Sequence, residues 1–394
     1  MPRIAQAAQA MLENTIAPFW LRLRDDEYGG FYGFMDFELR LNKQAEKGCI
    51  LNSRILWFFA EAARATGRAD YAAAADHAYR FLTAHCLDRV NGGVFWSVDY
   101  RGNPLDTTKH TYNQAFAIYA LSAYYRLTGR PEALAEAERL FALIETRCAD
   151  AGGYREAFTV DWKPASNEKL SENGVLAART MNTLLHVFEG YAGLYQAARP
   201  PQAAAALRRI LDIYANRVYN PAKHRQEVFF DADYHPLIDL HSYGHDIESS
   251  WLIDWGTALL GDDALTAKIA AIDSDLAAEI YQTAYRGHSL CNECDRGRVD
   301  TTRVWWVQAE GILGFVNAWR KQPARTEYRA AAADLWRYCV TVLADSRPGG
   351  EWFWDVDENG VPASRKPIVE PWKCPYHNGR LCLELMRRNP DVEV

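Results

Sequence analysis

The chain repeats itself at intervals of about sixty residues, and a repeat of this length restricts the possible folds more than any other feature. Two adjacent glycines followed by aromatic residues occur four times, at 29–30, 92–93, 152–153 and 349–350. Helix-like text recurs between them in matching phase, as TGRADYAAAADHAYRFL from Thr66 and TGRPEALAEAERLFALI from Thr128. A chain of 394 residues therefore holds about six such units.

Each unit reads as a glycine-rich aromatic turn or hairpin, a helix, a short break and a second helix. Periodicity of 3.6 residues gives about twelve helices. Their predicted bounds are 3–23, 48–66, 69–86, 110–128, 131–147, 174–198, 201–217, 242–260, 263–284, 301–320, 324–344 and 376–388.

Alternate helices differ in how their apolar residues are distributed. DYAAAADHAYRFL is amphipathic, which suits an outer ring with one face in water, whereas HTYNQAFAIYALSAYY is apolar or aromatic most of the way round. The pattern predicts an all-α (α/α)6 barrel, a toroid with alternate helices inside. Short β-hairpins would lie in the loops at one end, and residues 1–394 would form a single catalytic domain.

Composition excludes several classes of protein. Hydrophobic residues make up 49% of the chain and charged residues 24%, which is typical of a globular protein and not of a disordered one. The net charge of −7 argues against a nucleic-acid partner. No run of apolar residues is long enough to span a membrane, and the N-terminus lacks the apolar region of a signal peptide. Eight scattered cysteines favour a reducing, cytoplasmic location, and we expect a monomer or weak homodimer.

Unusual polar residues fall almost entirely on the predicted inner helices. They are Arg54; His110, Tyr112 and Asn113; Asn182, His186 and Glu189; His241, Tyr243, His245, Asp246 and Glu248; Arg303, Trp305, Trp306 and Glu310; and Trp372, His377, Asn378 and Arg380. Convergence on one central cavity is the simplest explanation. Aromatic residues reach 13%, with 13 Trp and 21 Tyr, and such rings suit a sugar pocket as well as a large helical core.

The spacing of histidines and carboxylates indicates proton-transfer chemistry. His245 and Glu248 are three residues apart on a helix and share a face, as do His186 and Glu189. A carboxylate there would fix the tautomer of the imidazole and leave its other nitrogen free as a base. His377 has no such neighbour in sequence, but Glu310 on the adjacent inner helix could serve. A satisfied core hydrogen bond is the alternative for any one pair.

Such a set suits removal and return of a proton at a carbon next to a carbonyl, with Arg54 stabilising the enediolate oxygen. No redox cofactor is needed, and no glycine-rich phosphate loop follows a strand. We therefore predict no cofactor.

Three other interpretations remain open at this point. The segment HSLCNEC offers His288, Cys291 and Cys294 to a metal, but a single CxxC is a weak zinc signal. His241 and His245 could also share a metal, although there is no HExxH pattern, so we predict no metal. A glycoside hydrolase would need two flanking carboxylates, available in Asp246, Glu248 and Glu310. A sugar-binding module would explain the aromatics but leave the His–Glu pairs unused.

Several segments resemble the motifs of cellobiose 2-epimerases, which belong to the N-acylglucosamine 2-epimerase superfamily of (α/α)6 barrels. They are NTLLHVFEGY (182–191), SYGHDIESSWL (242–252), WWVQAEG (305–311) and WKCPYHNGR (372–380), with NSRILWFF (52–59) and FFDADYHPL (229–237) in addition. The resemblance implies a cofactor-independent isomerase that inverts C2 of the reducing-end glucose of a β-1,4-linked disaccharide. Cellobiose would give glucosyl-mannose, and lactose could give epilactose. Mannose–glucose epimerisation and aldose–ketose isomerisation are the alternatives.

The resemblance also implies roles for individual residues. His245 and His377 would be the two acid–base residues, supported by Glu248 and Glu310 respectively. Arg54 and Asn182 would hold the enediolate, and His186 would assist ring opening or bind the C1 oxygen. Trp306 and Trp372 would stack on sugar rings, and Tyr112 and Trp305 would lie at the same cavity.

Overall fold

The computed structural model describes residues 2–394, in which helices predominate. The α-helices are α1 (Ile4–Met11), α2 (Ala17–Leu21), α3 (Cys49–Thr66), α4 (Ala69–Phe81), α5 (Thr111–Thr128), α6 (Pro131–Leu143), α7 (Met181–Ala198), α8 (Pro201–Ile213), α9 (Tyr243–Ala258), α10 (Asp263–Thr283), α11 (Trp305–Lys321), α12 (Thr326–Tyr338) and α13 (His377–Arg388). π-Helical turns join α1 to α2 at Leu12–Ile16 and extend four outer helices, at Leu82–Cys86, Ile144–Cys148, Tyr214–Val218 and Cys339–Leu343.

Six helices form an inner ring. Contacts run from α3 through α5, α7, α9 and α11 to α13, and α13 in turn contacts α3, which closes the ring. Outside it, α4, α6, α8, α10 and α12 each pack on the inner helix that precedes them, while α1 packs on α13. The sixth helix pair is therefore assembled from the two ends of the chain. The amide of Ile4 donates to the carbonyl of Val392 at 2.8 Å and fixes this junction.

The burial of the two rings follows the sequence pattern. Inner helix α5 is buried from Thr111 to Tyr124, whereas outer helix α6 buries only one stripe, including Ala133 and Leu140. Inner helices also approach each other closely. A Cβ on Gly190 of α7 would lie 2.6 Å from the carbonyl oxygen of Ala115 on α5, so only glycine fits there. The predicted (α/α)6 toroid is confirmed.

The two ends of the barrel differ. Inner helices pass to outer helices through short breaks such as Gly67-Arg68, where Gly67 takes the left-handed conformation (φ 71°) that ends α3. The reverse connections are long and carry the strands: β1 (Lys47–Gly48), β2 (Ser97–Val98), β3 (Pro104–Asp106), β4 (Lys109–His110), β5 (Ala149–Asp150), β6 (Gly153–Tyr154), β7 (Ala157–Phe158), β8 (Arg179–Thr180), β9 (Tyr219–Asn220), β10 (Arg225–Gln226), β11 (Phe229–Phe230), β12 (Leu240–Ser242), β13 (Tyr285–Arg286), β14 (Ser289–Leu290), β15 (Glu293–Asp295), β16 (Arg298–Asp300), β17 (Arg303–Val304) and β18 (Asp355–Val356).

All these strands pair antiparallel, in two three-stranded sheets (β1-β2-β3 and β12-β15-β16) and otherwise in pairs. The repeated glycine pairs form turns that are fastened to the inner helices. Asn52, one turn into α3, accepts from the amide of Phe31 at 3.1 Å, and Gln114 on α5 accepts from that of Val94 at 2.6 Å. The predicted hairpins at one end are thus present, and they set the positions at which the inner helices begin.

Two predicted helices start later than the sequence indicated. The helix expected over 174–198 begins at Met181, because Arg179–Thr180 pairs with Phe229–Phe230 and the Thr180 hydroxyl caps the helix by accepting from the amide of Thr183 at 3.0 Å. The helix expected over 301–320 begins at Trp305, since Arg303–Val304 pairs with β18. Strand pairing therefore competes successfully with helical periodicity at these termini.

Within the part of the chain that the structure describes, no helix has the length and apolar character needed to cross a bilayer. The single-domain organisation and the oligomeric state stay predictions.

Candidate active site

A cavity of about 480 Å³ opens at the end of the barrel where the inner helices begin. Ten of the eleven predicted site residues line it: Arg54, Tyr112, Asn182, His186, His245, Glu248, Trp305, Trp306, Trp372 and His377. The eleventh, Glu310, is fully buried next to His377. The toroid brings these residues together because each lies near the start of an inner helix or in the loop before one.

His377 is held by a carboxylate from the neighbouring helix. Its Nδ1 lies 2.7 Å from Glu310 Oε1, and the indole of Trp251 donates to Glu310 Oε2 at 2.9 Å. The first bond fixes the orientation of the imidazole and leaves Nε2 free. The predicted proximity of Glu310 and His377 is present in the structure.

His186 also pairs with a carboxylate, this time within its own helix. Its Nδ1 lies 2.9 Å from Glu189 Oε2, as the i, i+3 spacing indicated. The hydroxyl of Tyr376 donates to Glu189 Oε1 at 2.6 Å, so the carboxylate is shared with α13.

The expected support of His245 by Glu248 is wrong. His245 Nδ1 instead lies 2.7 Å from the hydroxyl oxygen of Ser242, the residue immediately before α9. Glu248 turns to the guanidinium of Arg380 and accepts a short hydrogen bond from Nη2. Although the spacing places both side chains on one face, each finds a different partner, because a buried cation attracts a carboxylate more strongly than a neutral imidazole does.

Arg380 is the residue that the sequence analysis named among the inner-helix polar residues but did not select. Its guanidinium donates to Glu189 Oε1 at 2.6 Å, to Glu310 Oε1 at 2.7 Å and to Glu248. It therefore ties three inner helices to α13. Three buried carboxylates require a cation among them, and this requirement was a signal available in the sequence.

Burial and charge shift the pKa values around Arg380 in opposite directions. Burial and the nearby Glu310 raise the pKa of Glu248 to about 7, and burial also raises that of Glu310. Burial alone would raise the pKa of Glu189 as well, but the charge of Arg380 and the bond from His186 lower it to about 2. One guanidinium does not neutralise three carboxylates, so the pKa values of Glu248 and Glu310 are raised while that of Glu189 is lowered.

Two of the three histidines that line the cavity, His245 and His377, favour the neutral form. Burial lowers the pKa of His245 to about 3, with a contribution from His186. Burial, followed by the charges of Arg380 and Arg54, lowers the pKa of His377 well below its usual range. Neutral imidazoles can act as bases.

Arg54 supplies positive charge to the cavity wall. Its Nη2 donates to the hydroxyl of Tyr112 at 2.7 Å, and its guanidinium lies 4.2 Å from the ring centre of Phe116. Among residues 2–394, Arg54 Nε and Asn182 Oδ1 are buried polar atoms without a hydrogen-bond partner. Such atoms are costly unless a ligand satisfies them, so both suit the recognition of a polar molecule.

Aromatic rings line the rest of the cavity. The ring of Trp306 is close to both imidazoles, 4.8 Å from the centre of His245 and 5.4 Å from that of His377. The ring of Trp372 lies 5.9 Å from that of Tyr112. Trp305 is buried against Trp354 at 4.9 Å, so it packs the wall of the cavity more than it faces the interior.

The metal-ligand sets weighed from the sequence do not assemble. His288 Nδ1 lies 2.8 Å from Asp334, away from the CxxC, and His241 Nε2 lies 2.8 Å from Asp246. A different set, Glu248, Glu310 and His377, has ligand atoms within 4.8 Å of one another. Arg380 donates to both carboxylates of this set, so the positive charge that a metal ion would supply is already present there.

Comparison with known proteins identifies the family of the chain. Residues 29–378 match the model of the N-acylglucosamine 2-epimerase family. The cellobiose 2-epimerase of Eubacterium cellulosolvens is 48% identical over 97% of this chain and 98% of its own. A crystal structure of a sugar epimerase from a ruminal bacterium superposes with a TM-score of 0.97 at 44% identity, covering 99% of this chain and 100% of that one. The structure of cellobiose 2-epimerase from Bacillus thermoamylovorans gives 0.95 at 43% identity, covering 98% and 99%. The chain therefore belongs to the N-acylglucosamine 2-epimerase family, in its cellobiose 2-epimerase branch, and is an isomerase of the epimerase type.

Proposed function

We propose that the protein inverts C2 of the reducing-end glucose of cellobiose, giving glucosyl-mannose, without a cofactor. Lactose would give epilactose by the same chemistry. The observation that carries the proposal is the pair of buried imidazoles, His245 and His377, which line one sugar-sized cavity and both lie close to Trp306. Relatives named as cellobiose 2-epimerases match nearly the full length of the chain, which supports this substrate class.

The reaction begins with opening of the sugar ring, which exposes an aldehyde at C1. One imidazole then removes the proton from C2, and the electron pair of that C–H bond forms the C1–C2 double bond of an enediolate. The other histidine, protonated at this stage, gives a proton to the opposite face of C2. The two histidines end with their proton states exchanged, and the carbonyl at C1 re-forms. No atom or electron is gained or lost, so an external oxidant or reductant is not required.

The charge that develops in this reaction is matched by the cavity. The enediolate oxygen becomes negative, and Arg54 and the side-chain amide of Asn182, which both line the cavity, would stabilise it. Glu310 stabilises the imidazolium form of His377 through the Nδ1 bond. The negative charge of the enediolate raises the low pKa values of both histidines as it develops, so the protonated imidazole beside it is stabilised during the reaction.

The remaining residues bind and orient the sugar. His186, fixed by Glu189, assists ring opening or binds the C1 oxygen. Trp306 and Trp372 stack on the apolar faces of the sugar rings, and Tyr112, which accepts from Arg54, borders the same space. Glu248 positions Arg380 and does not act on His245.

The arrangement fits a hydrolase less well. A glycosidase needs two carboxyl groups facing the scissile bond, one as acid and one as base or nucleophile. Glu248 and Glu310 are both bound to Arg380, and Asp246 is bound to His241. These carboxylates are already engaged, whereas the two histidines have ring nitrogens available.

Incubation with cellobiose, and separately with mannose, in heavy water tests the proposal by NMR. We expect glucosyl-mannose to appear with deuterium at C2. Deuterium exchange with mannose alone would assign the same residues to a monosaccharide epimerase. Conversion to a ketose would indicate an isomerase, and release of glucose without exchange would overturn the proton-transfer mechanism.

A further inference from the structure

A second cavity lies at the opposite end of the barrel, where the inner helices end. Its volume is about 630 Å³. We call it the basal cavity; its charged and aromatic lining consists of Trp57, Glu61, Arg64, Arg126, Glu384 and Arg387. None of these residues takes part in the chemistry proposed above.

The basal cavity has more positive than negative charge. Arg64, Arg126 and Arg387 face it, while Glu61 and Glu384 are the only acidic residues in the described lining. Three guanidinium groups against two carboxylates leave an excess of one positive charge. An anion would balance this excess.

The hydrogen-bond donors of these arginines are only partly used. Within residues 2–394, Arg64 donates from Nη1 to both oxygens of Glu61, at 3.1 and 3.0 Å, and Arg126 donates to Glu61 once, at 3.2 Å. Arg387 donates once to Glu384. Since each guanidinium carries five N–H groups, most of the donors remain for solvent or a ligand.

Arg126 is held within the cavity instead of extending into water. Its side chain is 20% exposed, and burial, together with the charges of Arg64 and Arg387, lowers its pKa although Glu61 opposes the shift. The positive charges of these arginines are favourable near the negative carbonyl ends of the inner helices. That effect alone would not require the guanidinium of Arg126 to be held inside the cavity. An oxyanion beside Arg126 would relieve the repulsion.

We propose that the basal cavity binds a phosphomonoester of about sugar size. Phosphate supplies two negative charges and oxygen atoms that match the forked donors of arginine. Trp57, which stacks on Tyr119 with ring centres 5.3 Å apart, gives the cavity an apolar wall suited to the carbon skeleton of such a ligand. The proposal does not depend on the epimerase activity, because the site shares no residue with the active-site cavity.

Calorimetric titration of the whole protein with inorganic phosphate and with glucose 6-phosphate tests this site. Saturating cellobiose is present to occupy the active-site cavity, and sodium chloride of equal ionic strength is the reference. We expect both probes to bind and glucose 6-phosphate to bind more tightly. Binding of phosphate alone would assign the site to the free ion and would overturn the inferred ester. No heat beyond that of chloride would overturn the site altogether.

Variants locate the binding. Arg126→Gln and, independently, Arg387→Gln should each weaken the binding of both probes about tenfold, since each removes a charge-assisted contact. Arg320→Gln is the matched control, because Arg320 lies near the end of inner helix α11 but is exposed and outside the cavity lining. Circular dichroism verifies that each variant is folded. Unchanged binding in a folded Arg126→Gln variant would show that the probes bind elsewhere.

Discussion

Neighbouring inner helices α7 and α9 carry the same His-x-x-Glu spacing and treat it differently. On α7 the histidine and the glutamate are hydrogen-bonded to each other, with His186 Nδ1 2.9 Å from Glu189 Oε2. On α9 the corresponding bond is absent, because His245 is hydrogen-bonded to Ser242 and Glu248 is hydrogen-bonded to Arg380. Periodicity decides which side chains share a helix face, but the nearest competing donor or acceptor decides which of them bond. One cavity thus contains carboxylate-bound imidazoles and one imidazole bound to a hydroxyl.

Removal of the proposed acid–base groups should have the largest effect. His245→Ala and His377→Ala should each reduce the rate of epimerisation by about a hundredfold to ten-thousandfold, which is the usual contribution of a positioned acid or base. Each variant should keep its fold. The sharper measurement is C2 deuterium exchange in heavy water from cellobiose and from glucosyl-mannose. With one base left, exchange should survive for one epimer only, whereas near-normal turnover in either variant would contradict the two-base mechanism.

Arg380→Met removes the guanidinium that binds Glu248 in place of His245 and so distinguishes α9 from α7. It leaves three buried carboxylates without their cation, and breaking a buried ion pair costs about 3–5 kcal/mol. We expect a large fall in the free energy of unfolding, measured by urea denaturation at neutral pH, with part of the loss recovered at lower pH as the carboxylates are protonated. Arg217→Met, at an exposed position, is the control. Equal stability of the two variants would mean that the carboxylates find another partner.

Glu310→Gln and Glu248→Gln compare a carboxylate that orients a histidine with one that does not. Loss of the Glu310–His377 bond should lower kcat by about ten- to a hundredfold, because the imidazolium form loses its stabilising charge. Glu248→Gln should have a smaller effect, since the amide oxygen can still accept from Arg380. Steady-state kinetics on cellobiose measures both, and a larger loss for Glu248→Gln would reverse the assignment of supporting residues.

Ser242→Ala tests whether α9 can be converted to the α7 arrangement. Without the hydroxyl, His245 Nδ1 loses its 2.7 Å partner. We expect a loss of activity of only a few-fold, because the imidazole remains packed against Trp306. NMR of the imidazole nitrogens reports the tautomer of His245. A loss as large as that of His245→Ala would show that the hydroxyl is itself essential.

The smallest expected effect is on the pH dependence of stability. Glu248 has its pKa raised from 4.5 to about 7, so the folded protein keeps a proton that the unfolded chain releases between these values. The contribution of Glu248 to stability is therefore lost as pH rises through about 7. Urea denaturation from about pH 5 to pH 8 should show Glu248→Gln gaining stability relative to the unmodified protein as pH rises. Glu138→Gln, on the exposed face of α6, should show no such trend.

The repeat and the alternation of helix types predicted the toroid, since a ring of helix pairs is the simplest way to bury every second helix. Ten of the predicted site residues line the cavity for the same reason. Two helix starts were predicted wrongly because strands of two residues leave little trace in the periodicity. Arg380 was not selected because no neighbour in sequence reveals its partners, although three carboxylates on inner helices already required a buried cation.

The sequence by itself determined the architecture, the family and the set of polar residues that face the centre, because apolar periodicity and repeated glycine turns act locally along the chain. Only the tertiary structure decided how those residues pair. Glu310 reaches His377, and Arg380 gathers Glu189, Glu248 and Glu310, across separations of 67 to 191 residues. Such bonds depend on which charges share a buried volume, where desolvation makes each carboxylate take the strongest donor within reach.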